Sequence, residues 1–110
     1  MMSVEQKQDV VVIKIKGELI LEHVEELKTK LFPLLQEEYK AIILDLSEVE
    51  FMDSSGIGFL VSLNNQAKQL NKHLLLLNPS KEVIKTLKLV NIYHFFEKID
   101  EVDEYLTLVE

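Results

Sequence analysis

The sequence predicts an α/β fold: one domain spanning residues 1–110, with a mostly parallel sheet of four to five strands, an antiparallel N-terminal strand and about four helices. Short β-branched or leucine-rich runs alternate with segments of helical periodicity, in the order β-β-α-β-α-β-α-β-α. Strands that alternate with helices favour parallel pairing through right-handed crossovers. A chain of 110 residues can also bury a sizeable core without disulfide bonds.

The N-terminal segment is predicted to be a β-hairpin. Ser3 to Lys7 forms a short first strand, and Gln8-Asp9 supplies a polar turn. Val10 to Lys16 is a β-branched run that ends in alternation, as is typical of a strand, and Gly17 follows it.

A helix and a buried strand are predicted next. Residues 21–35 have apolar side chains at helical spacing, with charged residues between them. Pro33 lies inside this pattern, so it should kink the helix or end its first regular segment. Ala41 to Leu46 is apolar almost throughout, which predicts a strand covered on both faces and followed by a short acidic connection.

The second half repeats the alternation of helix and strand. Ser55 to Leu70 carries an apolar stripe at helical spacing, and the turn Asn71-Lys72-His73 leads to a short buried strand, Leu74 to Leu77. The dipeptide Asn78-Pro79 marks the end of that strand.

The C-terminal elements are predicted from their boundary residues. Ser80 is a good helix N-cap, and Asn91 can adopt the left-handed conformation that ends a helix. Phe95 to Ile99 is predicted as the last strand, and Val102 to Val109 as a terminal helix.

The composition excludes several classes of function. The net charge of −7 opposes direct binding to nucleic acid or to anionic membranes. Every cationic side chain counted is a lysine, so bidentate guanidinium recognition of phosphate is absent. Cysteine is absent, which removes thiol catalysis and zinc–thiolate sites. Without a secretory signal or a long apolar run, we expect a cytoplasmic protein.

Few sequence features support a catalytic site or a metal site. His23, His73 and His94 follow no metal-ligand spacing. Asp45 and Asp53 are conceivable Mg²⁺ ligands, but structural roles in the strand and in the turn are the better interpretation. The chain has no phosphate-binding glycine-rich loop and no nucleophile-elbow motif.

The segment Asp53-Ser54-Ser55-Gly56 lies where a strand passes into a helix, and a corner of this kind displays side chains and free backbone N–H groups. A helix cap alone would explain it. Two features favour a functional site: the hydroxyl is duplicated, and Gly56 and Gly58 both occur early in the helix, where glycine is costly. Bare backbone at these glycines would let another protein approach closely.

This region resembles the STAS domain family, and within it the stand-alone anti-sigma factor antagonists. Residues 43–58 are similar to that family's strand, its "φMDS(S/T/A)GφG" turn and its helix start, almost position by position. Gly17-Glu18-Leu19 resembles an earlier "GELD" segment of the family. The resemblance extends over essentially the whole chain.

The resemblance implies a partner-switching regulator rather than an enzyme. An anti-sigma factor with serine kinase activity would phosphorylate Ser54, the serine directly after the motif's aspartate, and a PP2C-type phosphatase would remove the phosphate. The unmodified protein would bind the anti-sigma factor and release a sigma factor. ATP would belong to the partner, and no cofactor is implied for this chain. Ser55 is then the expected helix cap. The expected partner-binding residues are Asp53, Ser54, Ser55, Gly56, Ile57, Gly58 and Phe59, with Ile57 and Phe59 contributing only if they are exposed.

One departure from the family pattern keeps an alternative open. Ile20 replaces the aspartate of the "GELD" segment, which in the family lies near the phosphorylated serine. The alternative is a STAS interaction module of another system, such as a stressosome-type scaffold or a lipid-transport accessory protein. A small hydrolase or nucleotide-binding enzyme that uses Ser54 or Asp53 is the rival from a different class.

Overall fold

The computed structural model describes residues 2–109, with side chains described as far as residue 106. Its sheet has five strands in the order β1-β2-β3-β4-β5, with β1 antiparallel to β2 and every other pair parallel. The predicted mixed sheet and element order are therefore confirmed. The strands are β1 (Met2–Lys7), β2 (Val10–Leu19), β3 (Ala41–Met52), β4 (His73–Leu77) and β5 (Glu97–Ile99). The helices are α1 (Leu21–Leu31), α2 (Ser54–Gln69), α3 (Lys81–Leu89) and α4 (Val102–Val109), with 3₁₀ helices at Phe32–Gln36 and Tyr93–Phe95.

The N-terminal hairpin and the helix after it form where predicted, but β2 does not end before Gly17 and continues to Leu19. Gln8 adopts a left-handed conformation, φ 55°, in the tight turn between β1 and β2. The regular helix α1 ends at Leu31, and the chain continues as a 3₁₀ helix with Pro33 in its first turn. Proline thus ends the first regular segment, because it cannot donate the hydrogen bond that would continue it.

The predicted acidic connection after residue 46 is wrong: β3 continues through it to Met52. Two register shifts against β2 each place one extra residue in β3. Asp45 stabilises the first, since its Oδ1 accepts hydrogen bonds from the Ser47 backbone N–H at 3.0 Å and from the Ser47 hydroxyl at 2.7 Å. These bulges carry the strand on to the start of α2.

The turns of the second half use the residues expected for them. Asn71 and Asn91 have φ of 58° and 60°, which ends α2 and α3. Ser80 caps α3, because its Oγ accepts a hydrogen bond from the Val83 N–H at 3.3 Å. The last strand begins later than predicted, since residues 93–95 form a 3₁₀ helix and only Glu97–Ile99 pairs with β4.

The sheet separates two apolar cores. On one face, α1, α2 and α3 cover the larger cluster, which includes Ile13, Leu44 and the fully buried Phe59. On the other face, Tyr105 of α4 covers a smaller cluster with Ile43 and Leu75. The helix layer thus holds α2 against β3 and β4, which fixes where α2 begins.

Candidate functional site

The polar corner lies where the carboxyl ends of β2 and β3 meet the start of α2. Leu19 and Met52 are paired at the last position of the two strands. The Asp53 N–H donates a hydrogen bond to the Leu19 carbonyl oxygen at 3.2 Å, so the turn is attached to the neighbouring strand. The corner is therefore rigidly placed at the edge of the sheet rather than carried on a free loop.

Asp53 is the N-cap of α2. Its Oδ1 accepts hydrogen bonds from the backbone N–H groups of Ser55, at 2.9 Å, and Gly56, at 3.2 Å. The expectation that Ser55 is the cap is wrong, because Ser55 already lies in the first helical turn and donates to Asp53. A carboxylate here satisfies two otherwise free donors and also interacts favourably with the helix dipole.

The two serines of the corner differ in exposure. Ser54 is the first residue of α2 and is exposed, whereas Ser55 is partly buried. A reacting group or a partner therefore reaches the Ser54 hydroxyl more easily than that of Ser55. The sequence alone does not distinguish the two, because adjacent serines at a helix start look equivalent until the cap is known.

The two glycines of the corner have different roles. A Cβ on Gly56 would lie 2.5 Å from the Leu19 carbonyl oxygen and 2.5 Å from Met52 Cγ, far inside contact distance. Gly56 is buried, so the expectation that it keeps a partner's approach open is wrong: it lets α2 pack directly on the end of β2. A Cβ on Gly58 would meet no atom of the described residues within 4 Å, and Gly58 is exposed as expected.

Of the two predicted apolar contact residues, neither is freely exposed. Ile57 is partly buried and packs against the larger core. Phe59 is 0% exposed and stacks on Phe32, with ring centroids 6.5 Å apart. Phe59 was expected to contact a partner only if it were exposed. It is not exposed, because it lies on the inward face of α2.

Apolar side chains outside the predicted partner-binding set lie beside the corner. Phe51 is 47% exposed at the end of β3, and Leu21 is 61% exposed at the start of α1. Ile20, between β2 and α1, is partly buried and is the N-cap of α1 without a side-chain hydrogen bond. The sequence carries no local signal for the exposure of Phe51, because that exposure depends on where β3 ends.

The carboxylates near this edge have structural partners. Asp45 holds the bulge in β3 and Asp53 caps α2, so each has the structural role that the sequence favoured. Within residues 2–109, no group of three or more histidine, aspartate or glutamate side chains is placed to bind a metal ion. No helix in the same range is long and apolar enough to cross a membrane.

The fold and this corner define a STAS domain. The STAS domain family model matches residues 1–105, and the chain belongs to that family. The anti-sigma-B factor antagonist of Staphylococcus aureus is 30% identical over 80 residues, which cover 73% of this chain and 74% of that protein. The corresponding antagonist of Staphylococcus epidermidis is 34% identical over 71 residues, covering 64% of this chain and 66% of its own length.

Solved structures of the anti-sigma factor antagonist SpoIIAA have the same fold. Its unphosphorylated form is 26% identical, with a TM-score of 0.81 over 99% of this chain and 96% of that chain. The phosphorylated form of SpoIIAA, described as a Bacillus cell fate determinant, is 25% identical, with a TM-score of 0.75 over the whole of both chains. The family of this chain therefore includes regulatory proteins known as anti-sigma factor antagonists.

Proposed function

We propose that this protein is an anti-sigma factor antagonist whose binding is switched off by phosphorylation of Ser54. The unmodified chain binds an anti-sigma factor with serine kinase activity and releases a sigma factor. The kinase supplies ATP, and a PP2C-type phosphatase restores the active form. The chain itself acts as a cytoplasmic regulatory protein and not as an enzyme.

The observation that carries the proposal is the exposed Ser54 at the first position of α2, next to a capping carboxylate. The Asp53 Oδ1 already accepts the N–H groups of Ser55 and Gly56. A phosphate on Ser54 is thus not needed to cap the helix, and it points to solvent or to a partner.

A phosphate at this position changes binding more than folding. It adds about −1.5 to −2 charges and a bulky hydrated group. A helix N-terminus tolerates negative charge, so the fold can accommodate it. Structures of SpoIIAA in both forms, each similar to this chain over its length, support that view. In an interface, a buried unpaired charge costs several kcal/mol, or about a hundredfold or more in affinity.

The proposed partner surface is centred on the outward residues of the corner. Its polar part consists of Asp53 and Ser54, and at Gly58 the backbone is exposed without a side chain. The partly buried Ser55 and Ile57 contribute less area. Phe51 and Leu21 flank the corner with exposed apolar area, the kind of side chain that contributes most to protein interfaces. Gly56 and Phe59 act from inside, because they fix the position of α2.

Binding of the cognate anti-sigma factor by charge-addition variants tests this surface. We expect Ser54→Asp to weaken binding by about a hundredfold, and Ser54→Ala to retain it. Ser3→Asp is the matched control, since it adds the same charge at an exposed position on β1. Thermal stability should be nearly unchanged in all three. Unfolding of Ser54→Asp, or equal loss of binding in Ser3→Asp, would contradict the assignment.

Ile20 is the observation that favours a second candidate, a STAS module that serves a different partner. Its side chain cannot cap α1, and it places apolar surface next to the corner where the family pattern has a carboxylate. Restoring the family residue with Ile20→Asp distinguishes the two. Under the leading proposal, Ile20→Asp still binds an anti-sigma kinase, and under the alternative only the variant binds it.

A further inference from the structure

The chain at the C-terminal end of α2, away from Ser54, carries two lysines, although the protein as a whole has a net charge of −7. Lys68 lies in the last turn of α2, and Lys72 follows the helix. The C-terminal ends of α2 and α3 meet the 3₁₀ helix at residues 93–95 there. The 16 residues of α2 span about 24 Å, so this end is well separated from the corner.

Aromatic and aliphatic side chains lie beside lysines in this part of the molecule. The Lys68 Nζ lies 4.8 Å from the ring centroid of Phe95, and the Lys98 Nζ lies 4.0 Å from that of Tyr93. Phe95 is 41% exposed. Further exposed apolar side chains on these elements are Leu70, Leu89 and Val90. The surface thus combines positive charge with apolar contact area.

A half-open cavity of about 380 Å³ lies in this end of the molecule. Its walls include Asn64, Lys68, Lys72, His73 and Phe95. We call the surface formed by these five residues the basic end. Asn64 is only 4% exposed, and its Nδ2 has no hydrogen-bond partner among the described residues. A buried amide donor without a partner is unfavourable, and an arriving acceptor would relieve that cost.

We propose that the basic end is a second binding surface, for an acidic segment of another protein. One aspartate or glutamate carboxylate of that segment enters the cavity beside Lys68 and accepts a hydrogen bond from the reoriented Asn64 amide. Apolar residues of the segment contact Phe95. The single acidic wall residue, Glu97, is already near His73, with Oε1 and Nδ1 4.0 Å apart.

The shape and the charge favour a polypeptide over a membrane. A concave cavity that ends in a buried amide suits one projecting side chain, whereas a bilayer offers a broad surface. The net charge of −7 would repel an anionic membrane along most of the chain. An acidic segment of a protein can avoid that repulsion, because it contacts only the basic end.

Nuclear magnetic resonance of the ¹⁵N-labelled protein tests the proposal. The probe is an unlabelled peptide rich in Glu and Leu, and its control has Gln in place of every Glu. We expect the Glu peptide to shift the Asn64 side-chain amide and backbone signals of the basic end, with at least about tenfold weaker binding of the Gln peptide. Equal shifts with both peptides would overturn recognition of the carboxylate.

Matched variants separate a site from a general charge effect. K68E/K72E should weaken binding by about tenfold or more, whereas K28E/K30E, which makes the same change of net charge on α1, should not. Asn64→Leu should fold with unchanged or higher thermal stability and yet weaken binding by about tenfold, which a purely structural role would not do. Ser54→Asp should bind like the wild type, so the outcome is independent of the proposed switch.

Several results would overturn the proposal. Equal weakening in K28E/K30E would indicate nonspecific charge attraction. Inorganic phosphate that produces the same shifts as the peptide would indicate a small-anion site. Binding to phosphatidylglycerol vesicles without peptide binding would indicate a membrane surface, and wild-type affinity of Asn64→Leu would place the carboxylate outside the cavity.

Discussion

Replacing each glycine of the corner with alanine gives the sharpest test of how α2 is held. Gly56 and Gly58 are two residues apart in the same helix, and both gain helix propensity of about 0.5–1 kcal/mol on substitution. Their surroundings differ completely. At Gly56 the new Cβ would lie 2.5 Å from the Leu19 carbonyl oxygen, whereas at Gly58 it meets no atom within 4 Å.

The magnitudes follow from these contacts. Met52 can move its side chain, but the Leu19 carbonyl is fixed by the hydrogen bond from the Asp53 N–H. Overpacking costs about 1–3 kcal/mol, and the contact with a fixed backbone oxygen puts this site near about 3 kcal/mol, which exceeds the gain in propensity. We expect Gly56→Ala to lower the free energy of unfolding by about 2 kcal/mol, and Gly58→Ala to raise it by about 0.5–1 kcal/mol.

Urea and thermal unfolding of the two variants check the prediction, with circular dichroism to confirm that the helix content is kept. For a domain of this size, 1 kcal/mol corresponds to about 4 °C in Tm, so the Tm values should differ by roughly 10 °C. The two substitutions should act in opposite directions. Equal shifts of the same sign would refute the conclusion that Gly56 is a packing residue and Gly58 an open one.

Two further predictions concern a cap and an ion pair. Asp53→Ala should lower the free energy of unfolding by about 1 kcal/mol in urea titrations, because the Ser55 and Gly56 N–H groups lose their acceptor. Asp53→Asn should keep most of this stability, and an equal loss in both variants would contradict capping. The hydrogen bond from Lys14 lowers the pKa of the Glu48 carboxylate below its usual value of 4.5. The ionised carboxylate therefore stabilises the fold fully at a pH above 4.5, and this contribution is lost as the pH falls through the lowered pKa. The Tm of Glu48→Gln should therefore lie slightly below that of the wild type near neutral pH and converge with it in acid, and a difference that grows in acid would contradict the sign.

The order of the elements could be predicted because each has a local signal. Hydrophobic periodicity separates α2 from β4, and residues such as Asn91 and Ser80 mark helix ends by their own chemistry. Pro33 predicts the end of α1 in the same way. These features depend on a few neighbouring residues, so a single sequence carries them.

The length of β3 could not be predicted, because its bulges depend on the neighbouring strand. The extra residues in β3 break the alternation of inward and outward side chains, so residues 47–52 look like a polar connection. Only the pairing with β2 shows that the strand continues.

The candidate site was predicted in position but not in the role of each residue. The corner was found from its composition, yet the choice of Asp53 over Ser55 as the cap depends on the helix start. Gly56 was expected to face a partner, and Phe59 to do so only if exposed, but both face the core, because the close contact of α2 with β2 is a tertiary feature. The sequence does not predict the exposure of Phe51, since that exposure also depends on the end of β3.

The proposed partner switch depends on phosphorylation of Ser54. Incubating the protein with its cognate anti-sigma kinase and ATP, and locating the phosphate by mass spectrometry, tests it most directly. We predict one phosphate on Ser54, none on Ser54→Ala, and unchanged modification of Ser55→Ala. Phosphate on Ser55 alone, or no modification by a kinase that binds the protein, would contradict the claim.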